Sequence, residues 1–311
     1  MPQSSSAVDA PDPLGAASDP RLLRKLERVR LIARRGVGNR PGNTPIPHGS
    51  QANGLELASH KSYVPGDDLR HFDWNAFGRL EQMLTKTFRA ERESPLHLLI
   101  DASASMGVPR EDGKLSFALA IASSLAYVAL YQRDPVRAVL LGEGAGAARP
   151  SRVFRHPQRL PELHVFLRGS STVGPTRLYE GVDAYLRTTR SLGTAVVLSD
   201  FLVPDATYES ALESLLARGL GVAALRILGA AERGATGFPK RVRLRDSETG
   251  AERVVDLSDG HRQRYLSALD DHLTRLRRWC EARGIVFAVA DSARSLEHCL
   301  FEELPRAGLL R

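Results

Sequence analysis

From Leu96 onward the chain repeats one pattern: a short run of consecutive apolar residues, a turn, then a longer stretch with helical spacing. The apolar runs cover 97–100, 136–141, 195–199, 221–227 and 285–290, and helices are expected over 114–132, 178–189, 209–218 and 258–283. A strand that is apolar at successive positions is buried on both faces. Strands separated by helices of this length join as parallel βαβ units. The expected fold is therefore α/β: a doubly wound, mainly parallel sheet flanked by helices. A short strand is also expected over 151–154, and Ser247-Glu248-Thr249-Gly250 between 241–245 and 253–257 predicts a β-hairpin insertion. With 311 residues, 42% of them hydrophobic, the chain can bury a full core.

The residues before this pattern divide in two. Residues 1–20, rich in Ser, Ala, Pro and Asp, have no basic start and no apolar run, so they read as a disordered tail and not a signal peptide. Residues 21–95 form an N-terminal extension of helix, loop and strand, and 96–311 the α/β domain with its hairpin near 241–257. Over 21–35, Leu22, Leu23, Leu26, Val29 and Ile32 mark one face of a helix whose other face is basic. Residues 36–54 read as an extended loop. Pro65-Gly66 suits the centre of a type II turn, with Asp67 or Asp68 free to cap the segment after it. The acids, Arg70 and Trp74 around that turn predict an ionic network clamped by aromatic packing. Residues 84–89 alternate like a strand.

The chemistry concentrates where the first apolar strand stops. Leu98-Leu99-Ile100 runs into Asp101-Ala102-Ser103-Ala104-Ser105, a carboxylate followed at alternate positions by two hydroxyls. In extended or turn geometry, alternate residues project to one side. Asp200 ends another strongly apolar strand, and Thr176 precedes a helix. Open α/β sheets bind ligands beyond the carboxyl ends of their strands, where strand order reverses. Asp101, Ser103, Ser105, Thr176 and Asp200 are thus candidate metal ligands. Oxygen-only ligands suit a hard cation such as Mg2+ or Mn2+. The bland roles are a helix cap for Ser103, Ser105 and Thr176, and a loop acid for Asp200. Three neutral ligands would leave the cation much of its charge, so an acidic side chain from a protein partner could complete the shell. The expected function is a metal-dependent interaction module without enzymatic activity.

Other classes fit less well. The net charge of +7 is spread along the chain and only 6% of residues are aromatic, which does not make a specific nucleic-acid surface. Cys280 and Cys299 make neither a disulfide framework nor a zinc site, and they suit a reducing, cytoplasmic setting. Residues 115–131 are uncharged but rich in Ala and Ser and short for a membrane span, so a buried core helix is expected there and no transmembrane segment. The glycine run 142–146 lacks the spacing of a dinucleotide loop, and 169–173 fails the nucleophile-elbow pattern at its last position. Two alternatives remain. One is a metal-dependent phosphohydrolase with Asp101 as nucleophile, although the second acid usual two residues on is replaced by Ser103. The other is peripheral membrane binding through the basic helix of 21–35.

The Asp101 loop, Thr176 and Asp200 together resemble the metal-ion-dependent adhesion site of the von Willebrand factor type A fold. More narrowly, the chain resembles the bacterial family catalogued as domain of unknown function 58. The resemblance runs through Tyr63-Val64-Pro65-Gly66-Asp67-Asp68-Leu69-Arg70, Asp73-Trp74-Asn75, Lys86, Phe88, Glu91, the Asp101 loop, Arg245-Asp246-Ser247-Glu248-Thr249-Gly250 and Asp256. It implies a six-stranded type A sheet, a bound divalent cation, and a MoxR-type AAA+ ATPase as partner in adaptor or chaperone-like work. The chain departs from many relatives in showing no membrane-spanning segment, and from many type A domains in having Phe201 where they have Gly.

Overall fold

Leu96, Leu98, Leu99 and Ile100 are all fully enclosed, in a sheet whose strands come from residues 96–291. The computed structural model describes residues 13–32, 55–65, 69–90, 93–142, 147–172, 174–233, 241–248, 250–256 and 259–311. Two compact units result, one of 1–39 with 94–311 and one of 40–93.

In chain order, the first unit opens with α1 (Pro13–Ala17) and α2 (Pro20–Leu26). The second unit supplies β1 (Leu55–Ser62), α3 (Trp74–Leu80) and β2 (Leu84–Ala90). The first unit resumes with β3 (Leu96–Asp101), α4 (Lys114–Tyr131), β4 (Val136–Leu141) and β5 (Ala148–Pro150). Then come α5 (Leu160–Arg168), α6 (Leu178–Thr188), β6 (Thr194–Ser199) and α7 (Asp205–Ala217). It closes with β7 (Gly221–Leu228), α8 (Ala230–Arg233), β8 (Arg241–Arg245), β9 (Glu252–Asp256), α9 (Asp259–Ala282) and β10 (Val286–Asp291), followed by short helical turns.

The six-stranded sheet has the order β10-β7-β6-β3-β4-β5, parallel except for β5. From β3 the chain first builds outward through β4 and β5, then crosses to the other side for β6, β7 and β10. The order therefore reverses between β3 and β6. Alternation along each strand sorts side chains onto two faces. Leu98, Ile100, Val196, Leu198, Leu225 and Ile227 join α4 on one face. Leu99, Val139, Val197 and Ala224 meet α6, α7 and α9 on the other. Each fully buried Leu or Ile contributes roughly 1.5–3 kcal/mol by removal from water. Among the described residues α4 is the one helix long and apolar enough to cross a membrane, and it is mostly buried inside the fold.

Several expectations are corrected. The tail is ordered from Pro13: Leu14 and Ala17 are buried in α1, which packs on α4. Residues 1–12 lie outside the described residues. The helix expected over 21–35 ends at Leu26, because the following chain turns extended and pairs with the C-terminal segment. Leu31 bridges Leu310, the Arg30 amide donates to the Arg311 carbonyl at 2.8 Å, and Ile32 donates to Leu309 at 2.8 Å. Residues 33–35 and the loop 36–54 are outside the described residues. The short strand expected at 151–154 lies instead at Ala148–Pro150, where it runs antiparallel to β4. Phe154 makes only an isolated bridge to Val136. The β8–β9 hairpin forms as expected and, among the described residues, pairs with no other strand.

In the second unit β1 and β2 pair antiparallel. Asp73 is the cap of α3: its Oδ1 accepts from the amides of Asn75 and Ala76, both at 3.0 Å, and its Oδ2 lies 2.8 Å from His60 Nε2. Phe72 gathers Tyr63, Trp74 and Phe77 with ring centroids 4.6–6.0 Å apart, the aromatic clamp read from the sequence. Gly66, Asp67 and Asp68, named for the turn and the cap, lie outside the described residues, as do 143–146.

Candidate functional site

Asp101 and Asp200 stand at the carboxyl ends of β3 and β6, the two neighbours between which strand order reverses. Both are buried, at 2% and 0% exposure. The Asp101 carboxylate is held on both oxygens. Oδ1 accepts from the Ser103 amide at 3.0 Å, and Oδ2 accepts from the Ser199 hydroxyl at 2.5 Å. Burial, then the charge of Asp200, push the Asp101 carboxyl up to about 6, against the pull of the hydrogen bonds from Ser199 and Ser103.

The loop after Asp101 runs into a tight helical turn, Ala104–Gly107. Ser103 is the residue before that turn, yet its hydroxyl makes no capping bond. Instead Ser103 Oγ and Ser105 Oγ lie 3.0 Å apart. The capping role is likewise absent at Thr176, since α6 has no side-chain cap. The loop carrying Thr176 is tied to the Asp101 loop by its backbone, the Ala104 amide donating to the Gly174 carbonyl at 3.0 Å. The two loops also press together at Gly107, where an added Cβ would come 2.3 Å from Thr172 Oγ1, so a side chain there would force them apart. The Thr176 hydroxyl donates to Glu248 Oε1 at 2.5 Å, a contact from the β8–β9 hairpin. Asp101, Ser103, Ser105 and Asp200 thus gather at one edge, and Thr176 joins through the backbone of its loop.

Behind Asp200 lies a charge network that the sequence did not reveal. Lys114, the first residue of α4 and only 3% exposed, donates to Asp200 Oδ2 at 3.1 Å and to Glu232 Oε1 at 2.7 Å. Burial pulls the Lys114 ammonium down, but Asp200 and Glu232 together outweigh it and hold it above the ordinary lysine range. Arg226, fully buried in β7, reaches Glu232 Oε2 at 3.3 Å, and its Nε and Nη1 have no hydrogen-bond partner among the described residues. The signals were visible: Lys114 is the one charge at the head of an uncharged helix, and Arg226 interrupts an apolar strand. What the sequence hid was that they converge. Three buried carboxyl groups, Asp101, Asp200 and Glu232, thus share this region with Lys114 and Arg226.

Phe201 adopts a positive φ of 49°, the left-handed conformation that a glycine would take without cost. The ring is fully buried and packs edge-on to Tyr208 with centroids 6.1 Å apart. Its amide donates to Ser199 Oγ at 3.0 Å, and its carbonyl lies 3.1 Å from His272 Nε2 on α9. Packing therefore holds a side chain in a conformation that favours glycine, and Asp200 before it meets Lys114 at 3.1 Å.

Among the described residues no three His, Cys, Asp or Glu side chains cluster as a metal site would need. A cation here would be held by two carboxylates and three hydroxyls, a donor set suited to a hard ion and unsuited to zinc.

These features define an α/β protein with a mostly parallel six-stranded sheet and a buried acidic site at its topological switch point. The chain belongs to the family described as Protein of unknown function DUF58, whose profile matches residues 59–275. It is similar to the uncharacterized protein Rv1480 of Mycobacterium tuberculosis and the uncharacterized protein Mb1516 of Mycobacterium bovis. Each is 28% identical over 204 residues, 61% of this chain. The chain spans 60% of the length of these curated relatives. Among solved structures it is similar to the conserved hypothetical protein BatB of Bacteroides thetaiotaomicron. That match has a TM-score of 0.40 and 16% identity, covering 69% of this chain and 98% of that one. An aerotolerance-related membrane protein of Bacteroides fragilis matches with a TM-score of 0.40 and 16% identity over 68% and 99%.

Proposed function

We propose that this chain is a divalent-metal-dependent protein–protein interaction module with a site of the von Willebrand factor type A kind. Asp101, Ser103, Ser105, Thr176 and Asp200 hold Mg2+ or Mn2+, and an acidic side chain of the partner completes the shell. The observation that carries the reading is the placement of Asp101 and Asp200 on either side of the switch point, beside the Ser103 and Ser105 hydroxyls, which lie 3.0 Å apart, with Ser103 making no capping bond. The three buried carboxyl groups beside only Lys114 and Arg226 support it too, because a bound cation favours their ionised forms. When bound, the metal supplies a concentrated positive charge to attract a carboxylate.

A non-enzymatic role is favoured by the loop after Asp101. The position two residues on, where a nucleophilic aspartate usually has a second acid as general acid, is Ser103. The membrane alternative loses support because α2 ends at Leu26, so the expected basic face is cut short. The partner proposed from the family resemblance is a MoxR-type AAA+ ATPase. Titration of Mn2+ into the wild type, Asp101→Ala and the milder Ser105→Ala, with capture of that ATPase in parallel, tests the proposal. Binding of one ion and metal-dependent capture by the wild type, both lost in Asp101→Ala and weakened in Ser105→Ala, are expected. Capture that ignores Asp101 refutes it.

A further inference from the structure

The site proposed above leaves one position for an acidic side chain, and the chain itself carries a carboxylate to the edge of that site. Glu248, half-buried at the tip of the β8–β9 hairpin, accepts a hydrogen bond from the hydroxyl of Thr176 at 2.5 Å. Nothing in the hairpin's own pairing requires this bond, since among the described residues its strands pair only with each other.

The tip is built to present that carboxylate. The Asp246 amide donates to Ala251 at 2.8 Å and Gly250 donates to the Asp246 carbonyl at 2.9 Å, which closes the turn. Asp246 Oδ1 accepts from the Glu248 amide at 2.8 Å, so Glu248 is fixed relative to the turn. The strands beneath are anchored far less. Of β8, only Val242 is even partly covered, and Leu244 and Val254 are 47% and 56% exposed. A two-stranded hairpin with little buried area is marginal by itself. The hairpin therefore combines a firmly shaped tip with a weakly held stem, and the tip rests on a hydroxyl of the site.

We propose that Glu248 is an internal occupant of the site: its carboxylate takes the place that a partner's acidic side chain would take, and the partner engages only by displacing the hairpin tip. This rests on the metal-site reading above. A tethered carboxylate competes at an effective concentration in the millimolar range or above, so it masks weak acidic ligands and yields to strong or multivalent ones. The cap also defines its competitor: an acidic side chain presented on an exposed, tightly closed turn.

The test uses the full chain as wild type, Glu248→Gln and Glu248→Ala. The probes are Mn2+ and a labelled synthetic peptide of the sequence 245–251, made with Glu or with Gln at the position of Glu248. All three proteins are expected to bind Mn2+. With Mn2+ present, both variants are expected to bind the Glu peptide at least tenfold more tightly than the wild type does, and to lose it in EDTA or with the Gln peptide. Equal peptide affinity for wild type and variants overturns the cap and leaves the metal site standing. Mn2+ binding by all three proteins with no peptide bound by any also overturns the cap. Loss of Mn2+ binding in both variants overturns displacement, because Glu248 would then be a fixed ligand. Failure of all three proteins to bind Mn2+ overturns the metal site itself, and the cap with it.

Discussion

Replacing Lys114 by Met puts the buried charge network to a direct test. The ammonium is nearly enclosed and bridges Asp200 Oδ2 at 3.1 Å and Glu232 Oε1 at 2.7 Å. Methionine removes the charge while keeping most of the side-chain volume. Glu232 would keep Arg226 at 3.3 Å, and Asp200 would keep the Leu202 amide at 3.3 Å on its other oxygen, but no cation. Removing one partner of a buried ion pair costs about 3–5 kcal/mol. The remaining bonds set the expectation near the lower end, about 3 kcal/mol, against at most about 1 kcal/mol for an exposed pair. Guanidinium unfolding followed by circular dichroism measures the loss. In a Trp74→Phe background the fluorescence of Trp279 reports on the first unit alone, because these are the only two tryptophans. Lys114→Met should also bind Mn2+ about tenfold more tightly, a gain of about 1.4 kcal/mol, because a competing cation has left Asp200. A stability loss under about 1 kcal/mol would refute the buried network, and an unchanged Mn2+ affinity would refute Lys114 as the metal's competitor.

Two further expectations rest on single side chains. His97 is buried beside Tyr185, its Nδ1 2.6 Å from the phenol oxygen, and burial pushes its imidazole down to about 4 from 6.5. Above pH 6.5 the ring is neutral in both states; below it the unfolded chain gains a proton that the folded chain refuses until about pH 4. The His97 contribution to stability should therefore fall by roughly 3 kcal/mol across that window, while the raised Asp101 carboxyl contributes in the opposite sense over nearly the same range, so His97→Gln should gain stability relative to the wild type as pH falls from 6.5 to 4 in urea titrations at stepped pH. Phe201→Gly relieves about 1 kcal/mol of left-handed strain but deletes a buried ring worth about 3–5 kcal/mol, so a net loss of about 2–4 kcal/mol is expected in thermal melts. A gain in stability would mean that strain dominates there.

The sheet was legible because its strands are apolar on both faces, as at Leu98 and Leu99, whose neighbours lie on opposite sides. Asp101 and Asp200 were legible for the same reason, since each ends such a run. The end of α2 was not. Val29 and Ile32 repeat at helical spacing, but the partner that pulls this segment straight, around Leu310, lies almost the whole chain away. Local propensity loses to tertiary pairing in such places. α7 starts at Asp205, before the expected 209, and α5 was not expected; Pro204 stands just before the one and Pro161 in the first turn of the other, where helices tolerate proline. Lys114, Arg226 and Glu232 come from three separate segments, so only the fold brings them together. The same is true of Thr176 and Glu248.

The pairing of Arg30 and Ile32 with the segment at Leu309 to Arg311 has a consequence for how the molecule is made. The segment Arg30 to Ile32 is made before the sheet, the hairpin and α9 but finds its strand partner only after they have been synthesised. Closing so wide a loop carries a high entropic cost, and contacts of such separation form late. The N-terminal segment is thus the seam that closes last. A nascent chain stalled short of Leu309 would hold every strand of the sheet yet leave Leu31 without its partner, exposed to proteases and to quality control.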